Sequence, residues 1–130
     1  MKLTRRAALA APALLLATRA GAQGGFPNRA VRMIVPYTPG GVSDITARLI
    51  ADPLAATWGH PVPVENRAGA DGVIGTEVVA RSAPDGHTLL FTGNTGTVSV
   101  PLLYKPSFDA RQFLAIAHLG TGVSGFTIHP

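Results

Sequence analysis

Three short apolar runs in this chain each break into a glycine-rich turn, and the residues after each turn have a helical pattern. The segments cover residues 31–44, 62–76 and 88–97. In the first, the run VRMIV leads through PYTPGG into a stretch whose apolar positions recur three and four residues apart. This alternation predicts an α/β fold, a β-α-β-α-β unit with a parallel sheet.

The strands are predicted over residues 32–36, 61–66 and 87–92. The third is nearly all apolar, which is typical of a central parallel strand covered on both faces. Beyond it, the pattern predicts a short helix over residues 97–103 and a loop to residue 112. Strand-like pieces follow over residues 113–119 and 125–129.

The first helix is predicted to be capped by Val42 or Ser43 and to end at Gly59 and Pro61. Its apolar positions at helical spacing are Ile45, Leu49, Ile50, Leu54 and Trp58. Pro53 lies inside the pattern and predicts a kink, because proline cannot donate a hydrogen bond to Leu49.

The second helix is predicted over residues 72–82, with Ile74, Val78 and Val79 facing inward. A turn at residues 83–86 (APDG) follows, since proline suits its first central position and glycine the position after. In a parallel sheet all strand-to-helix turns lie at one edge, so their free N–H groups and helix dipoles converge there. The three glycine-rich turns therefore predict a site that holds a carboxylate with backbone donors.

The first 22 residues have the features of a signal peptide. Lys2, Arg5 and Arg6 precede a short apolar run at residues 7–17, and the small residues 20–22 (AGA) form a cleavage site. The run is too short to span a bilayer, so no direct membrane insertion is expected after cleavage. The paired arginines leave the Sec and twin-arginine export routes both open.

The signal peptide also carries the excess charge, because the chain has a net charge of +4 and residues 1–22 hold four basic and no acidic residues. The neutral remainder has scattered arginines and few aromatics, a composition that argues against nucleic-acid binding. The absence of cysteine excludes disulfides, a thiol nucleophile and thiolate metal sites.

The hypothesis that this chain is an enzyme has less support from the sequence motifs. The glycines at residues 69–75 are spaced G-x-x-G-x-x-G rather than as a dinucleotide fingerprint, and neither a Walker lysine nor a nucleophile elbow is present. The four histidines, at positions 60, 87, 118 and 129, lack metal-ligand spacing and are interpreted as surface or packing residues. Asp44 and Glu65 could form an acid-base pair, but nothing identifies a nucleophile.

Three motifs in sequence resemble a known family. Residues 36–44 (PYTPGGVSD), 64–76 (VENRAGADGVIGT) and 83–90 (APDGHTLL) look like the matching segments of the substrate-binding proteins of tripartite tricarboxylate transporters, also called Bug receptors. Their order and spacing match, from about residue 26 to residue 130. Family members are longer, so this chain resembles the first part of such a receptor.

The resemblance implies a two-lobed periplasmic binding protein of the type II-like class, with residues 23–130 as a truncated first lobe that ends near the crossover to the second. It implies a non-catalytic periplasmic receptor that needs no cofactor and no metal, binds a small organic carboxylate and passes it to membrane permease subunits. The alternative is a secreted α/β enzyme acting on a carboxylate-containing substrate, with catalytic residues outside this chain.

Carried over residue by residue, the resemblance implies ligand contacts from Thr38, Gly40, Gly41 and Asp44 in the first turn, Ala70, Asp71 and Gly72 in the second, and Asn94, Thr95 and Thr97 in the third. Backbone N–H groups and small hydroxyls are the expected donors. Asp71 stands where the family often has glycine. Its carboxylate would repel an anionic ligand unless it points away or binds a distal donor such as an amine.

Overall fold

The computed structural model describes residues 25–121, so the predicted signal peptide and the predicted strand at 125–129 lie outside the described residues. In chain order the helices and strands are β1 (Arg32–Val35), α1 (Val42–Trp58), β2 (Val64–Asn66), α2 (Val73–Ala80), β3 (Thr88–Leu90) and α3 (Val100–Tyr104). Short 3₁₀ turns lie at Ala70–Gly72 and Ala110–Gln112, and a π-helical turn lies at Thr95–Ser99. The predicted β-α-β-α-β order is confirmed, with strands shorter than expected.

The sheet is parallel throughout and has the order β2-β1-β3. Met33 lies opposite Val64 on one side and Leu89 on the other. Among the described residues β1 is the central strand, and β3 pairs with β1. An apolar run shows that a strand is buried, whereas strand order depends on pairing between distant segments.

The two faces of β1 pack against different helices. Met33 and Val35 join Ala47 and Ala51 of α1 in one buried cluster, whereas Ile34, equally buried, faces the other way. Helix α1 contacts β1 and β2, and α2 contacts β1 and β3. The crossovers β1-α1-β2 and β2-α2-β3 run in opposite directions across the sheet, so right-handed connections place their helices on opposite faces.

Of the apolar residues predicted at helical spacing in α1, Leu54 and Trp58 pack against the buried cluster, but Ile45 and Leu49 do not. Ile45 is 53% exposed and Leu49 is 70% exposed, while Ala47 and Ala51 are buried. Alanine lets the helix lie close to β1, and the larger side chains turn outward at this end. Ile74 of α2 is likewise exposed, whereas the small residues beside it are buried.

Glycines mark both ends of α1. Gly41, rather than Val42 or Ser43, is the N-cap, and Gly59 ends the helix with φ 67° while its N–H donates to the carbonyl of Ala55. The helix continues through Pro53, which lies on the exposed side.

The predicted strand at residues 113–119 is not formed, since these residues adopt no regular structure. Leu114 is 88% exposed. Between this segment, α1 and β3 lies a half-open cavity of about 730 Å³ lined mainly by apolar side chains, among them Trp58 and Phe91. Among the residues the structure covers, no helix has both the length and the apolar character needed to cross a bilayer.

The short helix predicted over residues 97–103 is found, as the π-helical turn followed by α3. The turn predicted at residues 83–86 is a bend that includes Gly86 at φ 81°.

Candidate functional site

Three turns leave the same edge of the sheet, at the carboxyl ends of the strands. We call them the first turn (residues 36–41, after β1), the second turn (67–72, after β2) and the third turn (91–97, after β3). The parallel register sets Val35 opposite Asn66, so the first and second turns start side by side. Ligands of open α/β sheets bind at this edge, where neighbouring strands send their chains to opposite faces. β1 and β2 meet that condition.

Side chains between the elements tie the turns together. The amide Nδ2 of Asn66 donates to the carbonyl of Tyr37 at 3.2 Å, which joins the end of β2 to the first turn. The hydroxyl of Tyr37 lies 3.2 Å from Thr92 Oγ1 in the third turn. Sequence reasoning missed these three residues, because their role depends on pairs up to 55 positions apart.

Two glycines let the turns approach the start of α2. A Cβ at Gly75 would lie 2.7 Å from the carbonyl oxygen of Arg67 and 2.7 Å from Cβ of Pro36. A Cβ at Gly96 would lie 2.5 Å from Thr92 Oγ1. The 3₁₀ turn at Ala70–Gly72 and the π-helical turn also contact each other. Glycine at position 75 therefore lets α2 lie directly against the first and second turns.

The helical segments that begin at this edge lack side-chain caps. Gly41 precedes α1, Gly69 precedes the 3₁₀ turn and Gly72 precedes α2, and no side chain accepts a hydrogen bond at any of these starts. The 3₁₀ turn at Ala110–Gln112, by contrast, is capped by the carboxylate of Asp109. At the start of α1 the lack of a cap leaves N–H groups and the positive end of the helix dipole free for an anion. At the start of α2 the N–H groups of Gly72, Val73 and Ile74 are donated to the carbonyls of Gly69 and Ala70.

The first turn shows which donors are free. The N–H of Gly40, whose φ is 83°, is donated to Asp44 Oδ2 at 2.8 Å. No described residue accepts a hydrogen bond from the N–H of Gly41, Val42 or Ser43. The N–H of Gly41 is therefore a free donor of this turn, together with those of the two residues that follow it.

The carboxylate of Asp44 is only 4% exposed, and protein donors surround it. Asn66 Nδ2 donates to Oδ1 at 2.9 Å, and Arg48 Nε does so at 3.1 Å. The Gly40 N–H, followed by Arg48 and Asn66, lowers the pKa of Asp44 to about 2. The sequence marked Asp44 as a ligand contact, and in the structure its two oxygens face these donors.

The other predicted residues occupy the rim of the turns. Thr38 and Gly41 are exposed in the first turn. In the second, Ala70 and Asp71 are exposed with left-handed backbone angles, and Gly72 is buried against Pro36 and Tyr37. In the third, Asn94 and Thr95 are exposed, Thr97 is half-buried, and both Asn94 and Thr97 line the apolar cavity.

The suggested acid-base pair is engaged in ion pairs. Arg32 holds Glu65 through two hydrogen bonds of 2.7 and 2.8 Å, and this contact lowers the pKa of Glu65 to about 2. A carboxylate with so low a pKa is a weak general base near neutral pH. Asp44 is equally poor for the same reason.

Histidines and acids do not assemble into a metal site within residues 25–121. The buried ring of His87 packs edge-on against Phe26, with centroids 5.0 Å apart, and its Nδ1 lies 3.2 Å from the carbonyl of Asp85. This residue precedes β3, at the end of the sheet opposite the three turns.

A family model described as the tripartite tricarboxylate transporter family receptor (TctC) matches residues 46–129. The chain belongs to this receptor family. The resemblance seen in the sequence is thus confirmed, and so is the α/β fold of a periplasmic binding protein. The protein BugT of Bordetella pertussis is 46% identical over 86 residues, which cover 66% of this chain and 26% of BugT.

Solved structures agree with the assignment. MatC of Rhodopseudomonas palustris with bound malate superposes with a TM-score of 0.60 and 40% identity, covering 65% of this chain and 29% of MatC. A second R. palustris protein, solved with adipate, has a TM-score of 0.50 and 39% identity, covering 51% of this chain and 22% of that protein. The receptor chain described here therefore spans less than a third of each of these relatives.

Proposed function

We propose that this chain is part of an exported, non-catalytic receptor that binds a small organic carboxylate at the three turns. In this proposal the receptor works in the periplasm and delivers its ligand to the membrane permease subunits of a tripartite tricarboxylate transporter. The observation that carries the proposal is the set of glycine-started, uncapped helical segments converging at one sheet edge.

The ligand class is supported by both chemistry and relatives. A carboxylate accepts several N–H bonds at once, which suits the backbone donors of Gly41 and the two residues after it. Related proteins of the family have been solved with malate and with adipate, both dicarboxylates. Eight of the ten residues carried over from the resemblance remain the proposed contacts, and the other two, Gly40 and Asp44, shape the first turn rather than holding the ligand directly.

In the proposed receptor the ligand closes a second lobe over this edge. A ligand that touches both lobes only when they are closed stabilises the closed state by its difference in affinity. As closure removes water from this edge, the ligand carboxylate takes the place of water as the acceptor for the N–H groups of Gly41, Val42 and Ser43.

The test is calorimetry on the protein produced from its own gene, titrated with malate, adipate and citrate. Saturable binding of at least one, with the ligand recovered unchanged, is the expected result. No binding by any of them, or formation of a product from a carboxylate ester or amide, would overturn the proposal.

A further inference from the structure

Asp44 is a buried acid at this edge whose contacts are made with the protein backbone and neighbouring side chains. The Asp44 carboxylate accepts from Gly40 N at 2.8 Å, from Asn66 Nδ2 at 2.9 Å and from Arg48 Nε at 3.1 Å. These donors belong to the first turn, the end of β2 and the body of α1. A single side chain thus connects the three pieces of backbone that meet beside β1.

The contact fixes the orientation of one peptide group. Asp44 is the third residue of α1 and reaches back to an N–H outside the helix, in the manner of the acidic half of a capping box. Gly40 has the left-handed φ of 83°, which its N–H bond to Asp44 helps to hold. With that N–H turned towards Asp44, those of Gly41 and the next two residues stay unpartnered.

We infer that Asp44 is a positioning residue, itself held by the hydrogen bond from Asn66. It keeps the first turn in the shape that presents its backbone N–H groups to the ligand carboxylate. The inference rests on the proposed function and adds the device that sets the geometry of the site. Arg48, 3.0 Å from the carboxylate, supplies the balancing charge, so the acid is accommodated next to an anion site.

A purely electrostatic role and a positioning role of Asp44 predict opposite changes in ligand affinity for one substitution. Asp44→Asn removes a negative charge beside a bound anion, which by Coulomb's law alone strengthens binding. It also leaves one acceptor oxygen for three donor groups, so the contact that holds the first turn is weakened. Asp52→Asn, on the exposed side of the same helix, removes the same charge without touching the network and is the matched control.

The experiment measures malate, adipate and aspartate affinity by calorimetry well below the unfolding temperature, with the binding stoichiometry reporting the folded fraction. Asp44→Asn and Asn66→Ala are each expected to weaken binding of all ligands by about tenfold or more, the equivalent of a lost charge-assisted hydrogen bond. Asp52→Asn should stay within about twofold, as distant surface changes do. Equal or tighter binding by Asp44→Asn, or a loss confined to aspartate with its amine, overturns the inference.

Hydrogen exchange without ligand separates this inference from the proposed function. Peptides spanning residues 36–44 should exchange faster in Asp44→Asn and Asn66→Ala than in the wild type, and Asp52→Asn should match the wild type. If the wild type binds no carboxylate, the proposed function fails, and the exchange rates alone decide whether Asp44 holds the turn. Unchanged exchange in both network variants overturns the inference.

Discussion

Replacing Gly75 with alanine tests whether the turns approach as closely as the structure shows. The added methyl would lie 2.7 Å from the carbonyl oxygen of Arg67, 2.7 Å from Cβ of Pro36 and 2.8 Å from its Cα. Carbon atoms pack best about 3.5–4.0 Å apart. All three neighbours are backbone or a rigid proline ring, so no flexible side chain can move away.

The expected cost follows from two opposing effects. Overpacking a tight site costs about 1–3 kcal/mol. Alanine gains back roughly 0.8–1 kcal/mol over glycine inside a helix. We therefore expect Gly75→Ala to lower the free energy of unfolding by up to about 2 kcal/mol, the difference of those two ranges. It should also weaken carboxylate binding, because α2 must move away from the first and second turns.

Thermal and urea unfolding measure the first effect, and calorimetry with malate or adipate measures the second. Gly93→Ala is the control for stability, since nothing would lie within 4 Å of a Cβ at that position. Its unfolding should resemble that of the wild type. If Gly75→Ala unfolds and binds like the wild type, the close approach of α2 to the turns is not a feature of the protein.

Four further outcomes are expected. Gly41→Val should weaken carboxylate binding at least about tenfold by blocking the backbone donors, and Arg67→Ala should weaken it much less. Calorimetry giving the reverse order would contradict backbone recognition. Arg32 lowers the pKa of Glu65 from 4.5 to about 2, so its contribution to stability is present above pH 4.5 and is lost as the pH falls towards 2. Glu65→Gln should therefore flatten the fall in urea stability between pH 5 and pH 2, and parallel curves would refute the assignment. Mass spectrometry of the exported protein should find an N-terminus at Gln23, and an intact initiator methionine would contradict export by cleavage. Residues 23–130 expressed alone should associate through their exposed apolar surface. A monomer in sedimentation together with a cooperative thermal unfolding transition would be the contrary result.

Local patterns were enough to predict the order of the elements and the position of the turns. Glycine after an apolar run signals a turn, and the αL conformation of Gly59 ends α1 where the sequence predicted. Local patterns did not predict which side chains of the first half of α1 face the sheet. Periodicity favours the large residues Ile45 and Leu49, while the short distance between helix and sheet selects Ala47 and Ala51.

The interior of the candidate site was less predictable than its location. Asp44 reads as a helix cap or a ligand contact in the sequence, because its partner Asn66 lies 22 residues away and the pairing exists only after β1 and β2 align. Tyr37 and Thr92 are separated by 55 residues and meet only across the sheet. No local spacing distinguishes such pairs from ordinary loop residues, so the sequence indicated where the donors lie but not what holds them.

In the proposed receptor, holding a carboxylate and choosing among carboxylates depend on different atoms. The backbone N–H groups at Gly41 and its neighbours have the same chemistry in any sequence that preserves the turn, so they suit the carboxylate group that all such ligands share. Asp71 is different, because it projects an ionisable side chain from an exposed turn with φ 55° at the same edge. A carboxylate there disfavours a second negative group nearby and favours a donor. Substitution at Asp71 should therefore change which ligands bind, whereas loss of Asp44 should weaken them all.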